Sequence, residues 1–111
     1  MYKMIILTTP EIAMGFRLVG VDVEEVKDAS DAESKLIKII TGSDYGLVAI
    51  NEEFMEKFSS RTKRLIDEID VPVVIAFPGE LLNRWTRQDR RDYVASLVRG
   101  AIGYHIKLTR D

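Results

Sequence analysis

Short apolar runs alternate with stretches of helical spacing along this chain. The clearest run is Leu47-Val48-Ala49-Ile50, with Gly46 before it and Asn51-Glu52-Glu53 after it. It is too short for a buried helix and lacks the alternation of a half-exposed strand, so it reads as a strand covered on both faces of a parallel sheet. Asn51 stands where a side chain can accept hydrogen bonds from the first free amides of a helix. Glu52 and Glu53 place negative charge at that helix's positive end. Strand, cap and helix in succession form half of a βαβ unit, and the other elements repeat the pattern.

Lys3 to Leu7 predict a first strand. Thr8 or Thr9 then caps a helix with Pro10 at its first position and Glu11 in its first turn. That helix carries Ile12, Phe16 and Val19 at spaced positions and ends near Gly20. Val21, Val23 and Val26 mark a second, more polar strand at a sheet edge. Asp28 or Ser30 opens a helix with Ala32, Leu36, Ile39 and Ile40 on one side. After the central strand a helix turns Phe54, Met55, Phe58, Leu65, Ile66 and Ile69 inward, with an interruption at Ser59-Ser60. Val71 to Phe77 form the fourth strand, with Pro72 at its start.

The order β-α-β-α-β-α-β is that of a small Rossmann-like, flavodoxin-like half domain in the α/β class. Right-handed crossovers and the two most apolar strands in the middle predict a four-stranded parallel sheet of order 2-1-3-4. Residues 1–78 make the globular body, 79–87 a linker or short helical turn, and 88–111 an amphipathic C-terminal helix and tail. On that helix Tyr93, Val94, Leu97, Val98, Ala101 and Ile102 recur at three- and four-residue steps, with Asp89, Arg90, Arg91, Asp92 and Arg99 opposite. The stripe either covers the last strand or pairs with helices of another chain. Trp85, a large amphipathic ring in the linker, either plugs the body or anchors a partner.

Composition narrows the function. With 111 residues there is room for one domain. A formal charge of −2 argues against a dedicated nucleic-acid binder, and the lack of cysteine excludes thiolate chemistry. No apolar run approaches a transmembrane length, so the expectation is a cytoplasmic protein that meets a membrane only through a partner. Residues 1–78 carry 9 Lys or Arg against 14 Asp or Glu, a net of −5; residues 79–111 carry 7 against 4, a net of +3. The two ends meet different surroundings.

In this topology a ligand would sit beyond the carboxyl ends of strands one and three, at Thr8, Thr9, Asn51, Glu52 and Glu53. A receiver domain needs acidic residues and a phosphorylatable Asp there, and a lysine further on. Threonines and Asn51 stand in those places, and no lysine follows Phe77 until position 107. A dinucleotide site needs a glycine-rich turn, whereas Pro10 and Glu11 lie where the anion would rest. No cofactor and no metal are expected. Adjacent helix residues point about 100° apart, so Glu52-Glu53 answer the helix dipole rather than pair for catalysis. His105 has no partner fixed by spacing, and the arginines at 84, 87, 90 and 91 interleave with Asp89 and Asp92 as on a solvated face.

Four stretches together resemble the F subunit of the V/A-type rotary ATPases: Gly15-Phe16-Arg17-Leu18-Val19-Gly20-Val21, Tyr45 to Glu53, Val71-Pro72-Val73-Val74-Ile75 before Pro78, and Leu97 to Ile106. Thr8-Thr9-Pro10 stands where many members have a Gly-Asp-containing turn, and Asn51 replaces a common Thr or Asp. The resemblance implies a non-catalytic central-rotor subunit, peripheral on the cytoplasmic side of the membrane. It would bind the coiled-coil shaft, the D subunit of the rotor, and turn inside the catalytic A and B subunits. Its C-terminal helix would extend toward them or fold back, modulating ATP hydrolysis and synthesis coupled to proton or sodium transport. Partner contacts are then expected at Phe16, Arg17, Trp85, Tyr93, Val94, Leu97, Val98, Ala101, Ile102 and Ile106. The competing reading is a free-standing receiver-like or flavodoxin-like signalling module.

Overall fold

A computed structural model describes residues 3–42, 44–84, 88–89, 91–93 and 95–96. Its elements follow the order β1 (Lys3–Thr8), α1 (Pro10–Leu18), β2 (Asp22–Glu25), α2 (Ala29–Gly42), β3 (Tyr45–Asn51), α3 (Glu52–Met55), α4 (Ser60–Glu68), β4 (Val73–Phe77) and α5 (Gly79–Arg84). All three strand pairings are parallel, in the order β2-β1-β3-β4.

Register explains why the middles of β1 and β3 are apolar at every position. Ile5, Ile6 and Leu7 lie opposite Val48, Ala49 and Ile50. Successive side chains leave opposite faces of the sheet, so each strand feeds two cores. On one face Ile5, Leu7, Val48 and Ile50 join Val26, Ala32, Leu36 and Phe58, and Phe54, Met55 and Ile66 pack against them. On the other, Ile6 and Ala49 join Ile12, Phe16, Phe77 and Leu82. The Phe16 and Phe77 rings meet at 5.6 Å between centroids, tilted by 57°. β2 and β4 are the edges. Asp22, Glu24 and Glu25 of β2 face solvent, as its polar sequence requires.

Local chemistry sets the element ends. Gly20, at φ 82°, lies past the end of α1, and its N–H reaches the Arg17 carbonyl at 3.1 Å. That left-handed conformation suits glycine. Asp28 opens α2: its Oδ1 accepts the Asp31 N–H at 2.8 Å, while Asp31 Oδ2 accepts the Lys27 N–H at 2.9 Å, a reciprocal cap. The expected interruption at Ser59-Ser60 divides α3 from α4. Ser59 caps α4 by accepting the Thr62 N–H at 3.3 Å. β4 begins at Val73, just past Pro72, two residues later than the apolar run suggests.

Residues 79–84, which the sequence presents as a linker or short helical turn, form α5. Leu82 is fully buried in the second core, so this segment is packed into the body. Residues 88–89, 91–93 and 95–96 have helical backbone.

Candidate functional site

The carboxyl ends of β1 and β3 bring Thr8, Thr9, Asn51, Glu52 and Glu53 together, as expected, and the protein fills this crevice with its own side chains. Thr8 and Asn51 are fully buried. The Thr8 hydroxyl donates to Asn51 Oδ1 at 2.5 Å, and Asn51 Nδ2 donates to Glu53 Oε1 at 2.7 Å. Asn51 occupies the N-cap position of α3 but accepts no helix amide, contrary to the expectation. Its oxygen is committed to Thr8. Thr9 likewise stands at the N-cap of α1 without making a cap bond. Its Oγ1 is a buried atom without a hydrogen-bond partner among the described residues.

Gly79 closes the crevice from the side of α5. A Cβ built there would collide with Asn51 Nδ2 and with Glu53 Oε1, both well inside van der Waals contact. An adjacent cleft of about 510 Å³ is lined by Thr9, Pro10, Glu11, Glu25, Val26, Lys27, Asp31 and Lys35. Its Lys35 ammonium already donates to the Glu25 carbonyl at 2.7 Å and pairs with Asp31 at 3.3 Å. Three carboxylates against two ammonium groups make a mixed wall, poorly suited to holding a phosphate. Among the described residues no group of three or more His, Asp or Glu side chains is placed to hold a metal ion.

The sequence-predicted partner residues separate into four sets. Phe16 is fully buried beside Phe77 in the second core, so its ring presents no surface to a partner. Its burial follows from the spacing with Ile12, which turns both toward the sheet. Arg17, on the outer side, is half exposed and pairs with Glu25 at 2.7 Å. Tyr93 is half-buried and packs on the second core. Desolvation, then the charge of Glu52, raises its phenol above the ordinary value. Trp85, Val94, Leu97, Val98, Ala101, Ile102 and Ile106 lie outside the described residues, as does His105.

Two features go beyond the sequence reading. Met14 and Leu18, 60% and 67% exposed, stand four residues apart on the outer face of α1 and form an apolar ridge beside Arg17. The signal is present in the chain, because Met14 and Leu18 are out of phase with Ile12 and Phe16. The second is a clasp between α2 and α4. Glu33 Oε2 accepts the Ser59 N–H at 3.0 Å and the Ser59 hydroxyl at 2.9 Å. Hydrogen bonding from Thr62, then from Ser59, holds the Glu33 carboxyl below its ordinary pKa.

The fold defines a small parallel α/β module of Rossmann-like topology whose switch point is filled by its own side chains. Comparison with known proteins makes the class specific. The family model described as ATP synthase (F/14-kDa) subunit matches residues 4–95. The V-type ATP synthase F subunit of Thermus thermophilus is 33% identical over 105 residues, covering 95% of this chain and all of that protein. The A-type ATP synthase F subunit of Methanocella arvoryzae is 33% identical over 67 residues, 60% of this chain and 68% of that protein. The crystal structure of the V-type ATP synthase F subunit from Archaeoglobus fulgidus shares the fold, with a TM-score of 0.64 at 23% identity, over 68% of this chain and 96% of that one. The chain belongs to this family, the F subunits of V- and A-type ATP synthases, which are accessory rather than catalytic members of their complexes. No helix among the described residues is long and apolar enough to cross a membrane.

Proposed function

We propose that this subunit sits in the central rotor of a V/A-type ATP synthase, on the cytoplasmic side of the membrane. Its body binds the shaft, the D subunit of the rotor. Its C-terminal helix reaches the catalytic A and B subunits and modulates ATP hydrolysis and synthesis coupled to proton or sodium transport. The observation that carries this reading is the match of residues 4–95 to the F-subunit family. The Met14–Leu18 ridge supports it: an i, i+4 apolar pair suits the grooves of a long amphipathic helix. The stripe Val94, Leu97, Val98, Ala101, Ile102 and Ile106 supplies the second contact, with Trp85 as an anchor at its base. The basic charge of residues 79–111 gives that end a different partner from the acidic body.

Co-purification tests the reading directly. Tagged full-length protein should retain a long helical shaft protein and, through it, the catalytic head. Capture of neither, under conditions that keep the ATP synthase intact, refutes it. The regulatory part is tested by ATP hydrolysis in the reconstituted complex, with the full chain or with a chain ending at Arg84.

A further inference from the structure

The described part of the C-terminal segment meets the body at two separate places. At the first, Gly79 begins α5 against Asn51 and Glu53, so closely that even a Cβ would collide with both side chains. Glu53 is itself held by the Asn51 amide, and Asn51, fully buried, by Thr8. α5 then drives Leu82 into the second core. At the second place, Tyr93 packs on that same core, with the Glu52 charge acting on its phenol.

We propose that Asn51 and Glu53 form a mount that fixes the root of the C-terminal segment to the carboxyl end of the sheet, seated beneath Gly79 and completed where Leu82 and Tyr93 pack on the second core. The described residues from Gly79 to Tyr93 then belong with the body. The family match, which runs to residue 95, takes in this root as part of the shared unit. The regulatory consequence rests on the reading given under Proposed function; the mount itself does not.

Native-state hydrogen exchange on the full chain tests the mount. In Tyr93→Ala, amides 91–93 and 95–96 should exchange about tenfold faster while those of β1 and β3 keep their protection. Gly79→Ala should loosen α5 and the same amides. Unchanged exchange at 91–96 in Tyr93→Ala overturns the proposal, and this variant carries the test even if Gly79→Ala fails to fold. The same Tyr93→Ala chain, placed in the reconstituted complex, separates the two ideas. A loosened root with unaltered ATP hydrolysis leaves the mount standing and refutes the regulatory reading of the helix.

Discussion

Thr8 and Asn51 face each other across the carboxyl ends of neighbouring parallel strands, joined by a hydrogen bond in a place fully closed to solvent. In other doubly wound proteins this crevice is where a ligand binds. Here the second hydrogen bond of Asn51, to Glu53, and the bare backbone of Gly79 complete the closure.

Asn51→Ala should therefore destabilise the domain by about 1–3 kcal/mol, because it leaves a buried Thr8 hydroxyl without its acceptor. Chemical denaturation reads this as a lower midpoint with an unchanged slope. An unchanged midpoint would mean that water replaces the amide at no loss, so the crevice is open enough to admit a ligand.

Val48 and Ile50 are fully buried on β3, and Phe16 is fully buried on α1. Val48→Ala and Ile50→Ala should each cost ~2–4 kcal/mol, and Phe16→Ala ~3–5 kcal/mol, through lost burial plus an unfilled cavity. Thermal melts of the isolated protein measure all three. Phe16 is the informative case: a partner-facing ring would leave the isolated melt unchanged and affect only assembly.

How much of this is legible in the sequence depends on the demands each residue has to satisfy. The middles of β1 and β3, Ile5 to Leu7 and Leu47 to Ile50, are covered on both faces, so they must be apolar at every position, and that pattern is visible without coordinates. The order 2-1-3-4 comes with it, because the polar Asp22–Glu25 segment has to lie at an edge. Asn51 misleads for a physical reason: the same amide can cap a helix or pair across strands, and only the position of Thr8 on β1 decides between them. Phe16 reads as a partner contact because family likeness marks residues without saying which way they face. Leu82 gives no warning of its burial because Leu81-Leu82 in a six-residue element is too short to show a period.

The Glu33–Ser59 clasp predicts a pH dependence. Hydrogen bonding lowers the folded-state pKa of Glu33 from the ordinary value of 4.5. A depressed carboxyl contributes stability that is present above the unfolded pKa and lost as pH falls through the folded one. Glu33→Gln should thus melt below the parent at neutral pH, and the gap should close as pH drops below 4.5. A gap that persists unchanged through that range means the clasp works by packing, not by charge.

The last prediction locates the end of the body. Were the folded unit complete at Pro78, a chain ending there would melt like the full protein. It would, however, lose Leu82, which is fully buried among Ile6, Ile12, Phe16, Ala49 and Phe77, and uncover the floor beneath Gly79. Emptying a site of that kind costs about 2–5 kcal/mol, a large share of the roughly 5–15 kcal/mol that typically holds a domain together. A chain ending at Arg84 keeps α5 and should show a cooperative thermal transition. A chain ending at Pro78 should melt much lower or without cooperativity. Circular dichroism on both chains decides the matter. Equal melting of the two would return residues 79–84 to a linker, and loss of folding in both would make residues 85–111 part of the core.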